Sequence, residues 1–415
     1  MKCNAQIGAL VQIVACVTAM LSTACSTGEW APTAPGDDSF DVILPDIPAP
    51  PPSAPDVTAF DGTLQIALPG YGDQHAQSLA ETDLLVVQLR AALSDDGAAN
   101  IRRLREENPD LVVIGSLQLL TIFEHWNDAW HRPRMTLGAA LWDILHDRPA
   151  LSTTGAVVPM WDRMETFNPM LDGRLDDRRL DAVVTAIAEH FARYPDVCDG
   201  ILHDYTSESP WIYPSPEQAG IGEVDLDGDG VGFADDPDEQ PVWIAWQEEF
   251  FRRLQARIGP GLIQIGNGKM AIERPSTMQL LAGALFEEFP SMTWHQAPQY
   301  GFDRLEATLA SGGLIPRRGR TWNLIGGSAF GSLGAVEMRR LGNLLYGGFY
   351  TYRDTVEELV PNDPSPYALG AVSGQVTRER IDGGGLRISR EYEQGVVMID
   401  FAPNGSVRAS SVAPR

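Results

Sequence analysis

From Thr63 onward, short apolar runs alternate with stretches whose apolar positions recur every three or four residues. The runs are LQIAL (64–68), DLLVVQL (83–89), LVVIGSL (111–117), DGILHDY (199–205), LIQIGNG (262–268), GALFEEF (283–289), TWNLIGG (321–327) and GGFYTY (347–352). Short apolar runs of this kind, alternating with helical patterns, indicate βαβ units and a parallel sheet. Amphipathic helices separate several of them. In one, Leu180, Val183, Val184, Ile187, Ala188 and Phe191 share a helical face, and similar patterns run roughly from Val242 to Ile258 and from Ala335 to Leu345.

Eight strands alternating with helices over roughly 290 residues predict the α/β class and, within it, a (β/α)8 TIM barrel. An open doubly wound sheet is the competing reading, but no Gly-rich dinucleotide fingerprint follows the first run. Two insertions interrupt the rhythm, giving long loops after strands three and four. About eighty residues separate those strands and include GAVVPM (155–160), which reads as an extra strand. A second insertion of about 36 residues runs from Thr206 to Pro241. Both follow the C-terminal end of a strand, the face on which such barrels carry their active sites. Beyond Arg353 the helical pattern stops, and LRISREYE and GVVMIDFA read as a hairpin in a small C-terminal β appendage. The expected divisions are a leader at 1–25, a Pro-rich linker at 26–56, the barrel at 57–353 and a β segment at 354–415.

The N-terminus changes the picture of where the barrel works. Lys2 is followed by an apolar run from Ile7 to Leu21, which reads as an export signal. It ends in LSTAC, similar to a bacterial lipoprotein signal with Cys25 as the lipidated residue. Ser22 stands where an aliphatic residue is usual, and IVAC ending at Cys16 fits that local pattern better after a much shorter apolar run. A plain signal peptide or a single membrane anchor is the alternative. Eight prolines between Ala31 and Pro55 make the next segment an extended, semi-rigid spacer. Cleavage before Cys25 leaves only Cys25 and Cys198, so a lipidated chain has no intramolecular disulfide framework.

The formal charge of −25 argues against nucleic acid or an anionic membrane surface as partner. It is compatible with a neutral or cationic substrate and with metal binding. The basic cluster Arg317, Arg318 and Arg320 precedes the seventh strand and reads as a solvated patch on the opposite, bottom face.

The sharpest motif is DLDGDGVGFADD, which starts at Asp225. Carboxylates Asp225, Asp227, Asp229 and Asp236 fall at positions 1, 3, 5 and 12, with Gly230 at 6. That is the spacing of an EF-hand-type Ca²⁺ loop, in which Val231 would add its backbone carbonyl from position 7. Position 12 is Asp in place of the usual Glu, so the reading is a solitary structural calcium loop. An acidic, Gly-rich surface turn is the alternative.

A second signal is positional. Asp204 and Glu287 end the fourth and sixth strands, where side chains enter the barrel mouth. Two carboxylates across a cleft are what glycoside hydrolysis needs. Glu288 competes with Glu287 for the second place, and alternation allows only one of them to face inward. Asn267, after strand five, is a candidate donor to a sugar hydroxyl, and Tyr205 a lining residue. His203 should point outward and pack. Trp126, Trp130, Trp161, Trp211 and Trp294 fall in predicted loops, as stacking platforms for sugar rings or as small local cores. The chain has no CxxC pair, HExxH, GxSxG elbow or P-loop, and sequence spacing reveals no His cluster for a catalytic metal.

In order, DGILHDY, the DLDGDG loop, IGNG, GALFEEFP, LLYGGFYTY and RISREYEQGVVMIDF resemble a largely uncharacterised group of bacterial TIM-barrel glycoside hydrolases, hypothetical glycosyl hydrolase family 15. The resemblance spans roughly residues 60–402. It is more distantly similar to endo-α-1,4-polygalactosaminidases and α-galactosidase-type barrels. It implies a retaining hydrolase of α-linked oligo- or polysaccharides, with Asp204 as nucleophile and Glu287 as acid/base. Asp400 stands near the place where the family has an Asn, away from the predicted site. A non-catalytic glycan-binding surface lipoprotein on a barrel whose chemistry has lapsed is the second reading.

Overall fold

The computed structural model describes residues 61–67, 82–161, 163–210, 220–287, 289–290, 298–326, 333–351, 369 and 371–414. The leader with Cys25, the Pro-rich linker, Trp211, Glu288 and Trp294 lie outside them.

Eight parallel strands form one ring: β1 (Asp61–Ala67), β2 (Leu84–Gln88), β3 (Val112–Gln118), β4 (Gly200–Asp204), β5 (Ile263–Asn267), β6 (Gly283–Phe286), β7 (Leu324–Ile325) and β8 (Gly348–Thr351). Each pairs with its sequence neighbours, and β1 pairs with both β2 and β8, which closes the sheet. Every strand overlaps one of the apolar runs. The longer helices are α1 (Asp95–Glu107), α2 (Thr136–Leu145), α3 (Asp177–Arg193), α4 (Glu239–Ile258), α5 (Gln299–Ala310) and α6 (Leu333–Tyr346). α1 starts where Ser94 accepts a hydrogen bond from the Gly97 N–H at 3.1 Å, and α3 where Asp176 accepts from Arg179 at 3.1 Å. These caps satisfy amides that the first turn leaves unpaired.

Two apolar clusters divide the strand residues by parity. Leu84 and Val86, Val112 and Ile114, Leu202, Ile263 and Ile265, Leu285, Leu324 and Phe349 fill the inside of the ring. Their alternates Leu85, Val87, Val113, Ile201, Ala284, Phe286, Ile325 and Tyr350 pack outward among the helices. Buried on both faces, the strands read as unbroken apolar runs. At the bottom, Trp322 stacks on Phe349 with centroids 5.5 Å apart. The basic cluster there is the solvated patch expected at Arg318 but not at Arg320. The Arg320 guanidinium lies 4.3 Å from the Trp322 ring centroid, and Arg318 pairs with Asp199 at 2.8 Å. The aromatic floor draws Arg320 partly out of solvent, while Arg318 keeps its exposure within its ion pair.

In the insertion after β3, Thr121–Phe123, Met164–Thr166 and Pro159–Trp161 make a three-stranded antiparallel sheet. The strand expected at 155–160 is therefore displaced toward the C-terminus. Its first residue, Gly155, has φ +77° and closes a turn in which its N–H donates to Ser152 O at 2.7 Å. The two insertions are joined, because Leu151–Ser152 pairs antiparallel with Val224–Asp225.

The C-terminal hairpin forms as read, but as the middle of a four-stranded meander: β9 (Thr377–Ile381), β10 (Gly385–Tyr392), β11 (Gly395–Phe401) and β12 (Val407–Pro414). The outer strands lack an apolar period, and charged TRERI in β9 suits an exposed sheet edge. The sheet docks on the barrel helices through Arg390, which donates to Leu345 O at 2.7 Å, and through Phe401, 5.5 Å from Phe302 of α5. Asp400 binds Arg387 within this sheet, in a bidentate pair at 2.7 and 2.8 Å. Among the described residues, no helix is long and apolar enough to cross a membrane.

Candidate active site

Parity decides which side chains reach the barrel mouth. Leu202 faces inward, so Asp204 two residues on shares its side and His203 does not. Ile263 and Ile265 carry the same inward register to Asn267, and Leu285 carries it to Glu287. Val112 and Ile114 carry it to Gln118, which pairs directly with Asp204 across the β3–β4 ladder. Four consecutive strands thus deliver Gln118, Asp204, Asn267 and Glu287 to one level at the C-terminal end of the ring.

These side chains touch. The Asn267 amide Nδ2 donates to Asp204 Oδ1 at 2.9 Å and to Glu287 Oε2 at 3.2 Å. The two carboxylate oxygens can be no further apart than those bonds laid end to end, about 6 Å. Asp204 also accepts from the Tyr205 backbone N–H and the Gln118 side chain. Burial pushes its carboxyl above the usual aspartate range, and these three donors oppose that rise. Gln118 was not singled out in the sequence. Its only signal was an amide at the end of an apolar run.

The turn after β4 aims the acid. Tyr205 sits at φ +66°, a left-handed conformation that costs a non-glycine residue on the order of 1–2 kcal/mol. Such outliers cluster where a site over-determines the backbone. The Tyr205 hydroxyl donates to Ser209 O at 2.8 Å and its ring packs on the core, so it braces the loop after β4. Next to it, Thr206 is fully buried, and its Oγ1 donates to His203 O at 3.0 Å. Gly268, at φ +132°, lets the loop after β5 cross here, since a Cβ would meet Thr206 O at 2.5 Å.

His203 points outward as expected. Its Nε2 lies 3.0 Å from Gln264 Oε1 and its ring 4.5 Å from that of Phe251, and burial lowers its imidazole to about 3. It is a neutral packing residue.

The tryptophans divide. Trp126 is 4% exposed in the core, its ring 5.7 Å from the Arg90 guanidinium, so it offers no face to a sugar. Trp130 is exposed with Arg134 over its ring at 4.9 Å, and half-buried Trp161 ends a strand of the insertion sheet and packs on the core.

The carboxylates of the acidic loop fall into two overlapping groups. Ligand atoms of Asp225, Asp227 and Asp229 lie within 4.8 Å of one another, as do those of Asp227, Asp236 and Glu239. Val231 is exposed, its N–H donating to Asp229 Oδ1 at 2.7 Å. Glu239, three residues beyond the motif, went unnoticed in the sequence. Burial raises its carboxyl to about 7, opposed by the Leu226 and Asp227 N–H groups and reinforced by Asp236 and Asp225.

A third group brings two histidines together that sequence spacing did not single out. His125, Asp128 and His131 bring ligand atoms within 4.8 Å of one another. Asp128 already binds His131 Nδ1 at 2.6 Å, and the Arg163 guanidinium sits 3.0 Å from His125 Nε2.

No family model matches the sequence, and no curated protein does. Solved structures with similar folds include the alpha-glucosyl transfer enzyme XgtA, with 13% identity, TM-score 0.43 and coverage of 83% of this chain and 90% of that one. An alpha-amylase from Lactobacillus plantarum has 10% identity, TM-score 0.42 and coverage of 85% and 90%. An isomalto-dextranase from Arthrobacter globiformis T6 has 11% identity, TM-score 0.40 and coverage of 79% and 63%. At TM-scores below 0.5, these likenesses carry neither an activity nor a site to this chain.

Proposed function

We propose that this protein is a retaining glycoside hydrolase, with Asp204 as nucleophile and Glu287 as acid/base. The observation that carries the reading is the single amide nitrogen of Asn267 bonded to both carboxylates. It limits their separation to about 6 Å. Retaining glycosidases hold their carboxyls roughly 5–5.5 Å apart, whereas inverting enzymes leave about 6.5–9.5 Å for a water.

The division of roles comes from the sequence resemblance. Asp204 accepts three hydrogen bonds, which favour its anionic form and suit attack on the anomeric carbon. Protonated Glu287 donates to the departing glycosidic oxygen. The anomeric carbon to leaving oxygen bond breaks as the bond to Asp204 forms. Glu287 then takes a proton from water, whose oxygen displaces Asp204 and regenerates both groups. Asn267 stays bonded to the pair throughout and keeps their spacing.

The α-linked oligo- or polysaccharide class comes from the sequence resemblance. Export follows from the N-terminal leader, with lipid anchoring at Cys25 and the Pro-rich spacer setting the barrel away from the membrane. The deciding experiment is sugar release by the purified protein across α- and β-linked glycans, with the first-formed anomer read by NMR. Release with retained configuration, lost in Asp204→Asn and in Glu287→Gln, supports the proposal. Inverted product overturns the mechanism, and undiminished release by both variants overturns the site.

A further inference from the structure

Acidic loops are common on protein surfaces, and four aspartates at EF-hand spacing do not by themselves make a metal site. The buried carboxylate beside this loop supplies the missing observation. Glu239 is fully buried at the start of α4. Its Oε1 accepts from the Leu226 N–H and from the Asp227 N–H at 3.0 Å. Its Oε2 has no hydrogen-bond partner at all. The Glu239 ligand atom lies within 4.8 Å of those of Asp227 and Asp236, so like charges converge at this point. A buried carboxylate beside two others, with one oxygen lacking a donor, must either take up a proton or share a cation, and the cluster of oxygen ligands around it suits a cation.

We propose that Asp225, Asp227, Asp229 and Asp236, with Glu239 from α4, form a Ca²⁺ site that clamps the insertion after β4 to that helix. Asp227 belongs to both carboxylate groups and links them into one site. The donors are all oxygens, the hard ligands that Ca²⁺ prefers and that soft transition metals do not. With Asp at position 12 in place of the longer Glu, Glu239 supplies reach from three residues further along. The backbone holds the loop open for this. Asp225 Oδ1 and Oδ2 accept from Gly228 and Gly230 at 2.7 and 2.9 Å, and those glycines take φ +83° and +90°.

The site joins three parts of the fold. On one side, Val224–Asp225 pairs with Leu151–Ser152, and Asn168 Nδ2 donates to Leu226 O at 2.6 Å, which ties in the insertion after β3. On the other, Glu239 begins α4, and one and two turns later Trp243 and Gln247 both donate to Ser207 O, at 2.9 and 2.8 Å. Ser207 lies three residues beyond Asp204. The ion therefore fixes the helix that holds the turn after β4, and the inference stands whether or not the barrel hydrolyses glycans.

The test is calorimetric titration of Ca²⁺ into chelator-treated protein, with thermal unfolding in parallel and Mg²⁺ as competitor. One Ca²⁺ per chain, a raised Tm, and affinity reduced at least about tenfold in Glu239→Gln and in Asp227→Asn would support the site. Asp235→Asn, outside the ligand set, should bind within about twofold of the unaltered protein if the assignment is right. Asp227 is exposed, so its variant keeps the test open if Glu239→Gln does not fold. Absence of both heat and a Tm shift up to roughly 10 mM Ca²⁺ would overturn the site. Unaltered affinity in folded Glu239→Gln would overturn the part given to that residue.

Discussion

The amide of Asn267 donates to Asp204 at 2.9 Å from the neighbouring strand, and the same nitrogen reaches Glu287 one strand further. Adjacent strands lie about 4.8 Å apart, so strands two apart are separated by roughly twice that. An amide on the intervening strand therefore suits the two acids on either side of it. Asn267 both spaces the acids and influences when Asp204 ionises.

Replacing Asn267 by Ala removes one of the groups that favour ionised Asp204. A nucleophile must be charged, so activity falls as pH drops through its pKa, which burial already places above the ordinary aspartate range. The expected result is an acid limb of kcat/KM moved to still higher pH, with a loss of about 10- to 100-fold at the optimum from a charge-assisted bond. An unmoved limb would separate Asn267 from Asp204 ionisation.

Asp204→Asn should remove turnover while raising stability at neutral pH. A carboxyl whose folded pKa lies above its unfolded value favours folding less and less as pH rises through that interval. Above it the cost of holding the charge is fully present. The neutral isostere removes that cost, and Tm at pH 7 should rise. A fall in Tm would mean that the hydrogen bonds of the carboxylate outweigh its burial.

His203 predicts a slope of the opposite sign. Its folded pKa of about 3 lies below the unfolded value of 6.5. Between them the unfolded chain binds the extra proton, so stability rises with pH, by at most about 1.4 kcal/mol per unit from this group. Its contribution is fully present above 6.5 and declines as pH falls toward 3. Urea unfolding from pH 4 to 7 should show a shallower dependence in His203→Phe, by up to one proton. An unchanged slope would locate the acid sensitivity elsewhere.

Gly268 and Gly259 form a controlled pair. Both have positive φ, +132° and +119°, but a Cβ at 268 meets Thr206 O at 2.5 Å whereas one at 259 meets nothing within 4 Å. Gly259→Ala reports backbone strain alone, on the order of 1–3 kcal/mol. Gly268→Ala should cost more and should also lower activity, because Thr206 lies two residues beyond Asp204. Equal losses in denaturant unfolding would show that the loops yield without strain.

Much of this architecture was present in the local pattern of the chain. Each of the eight apolar runs overlaps a strand, and alternation alone sent Asp204 inward and His203 outward, because successive side chains of a strand take opposite faces. The Asp225–Asp236 spacing was equally legible, since that loop is built within twelve consecutive residues. The tryptophans were not. Whether a loop ring is buried, as Trp126 is, depends on what else folds against it. Gln118 lies 86 positions before Asp204 and Glu239 three beyond its loop, and neither distance carries a periodic signal. Their roles come from strand register and from the first turn of α4. Periodicity along the chain set which face each side chain takes; closure of the ring and packing of α4 determined which of those side chains meet.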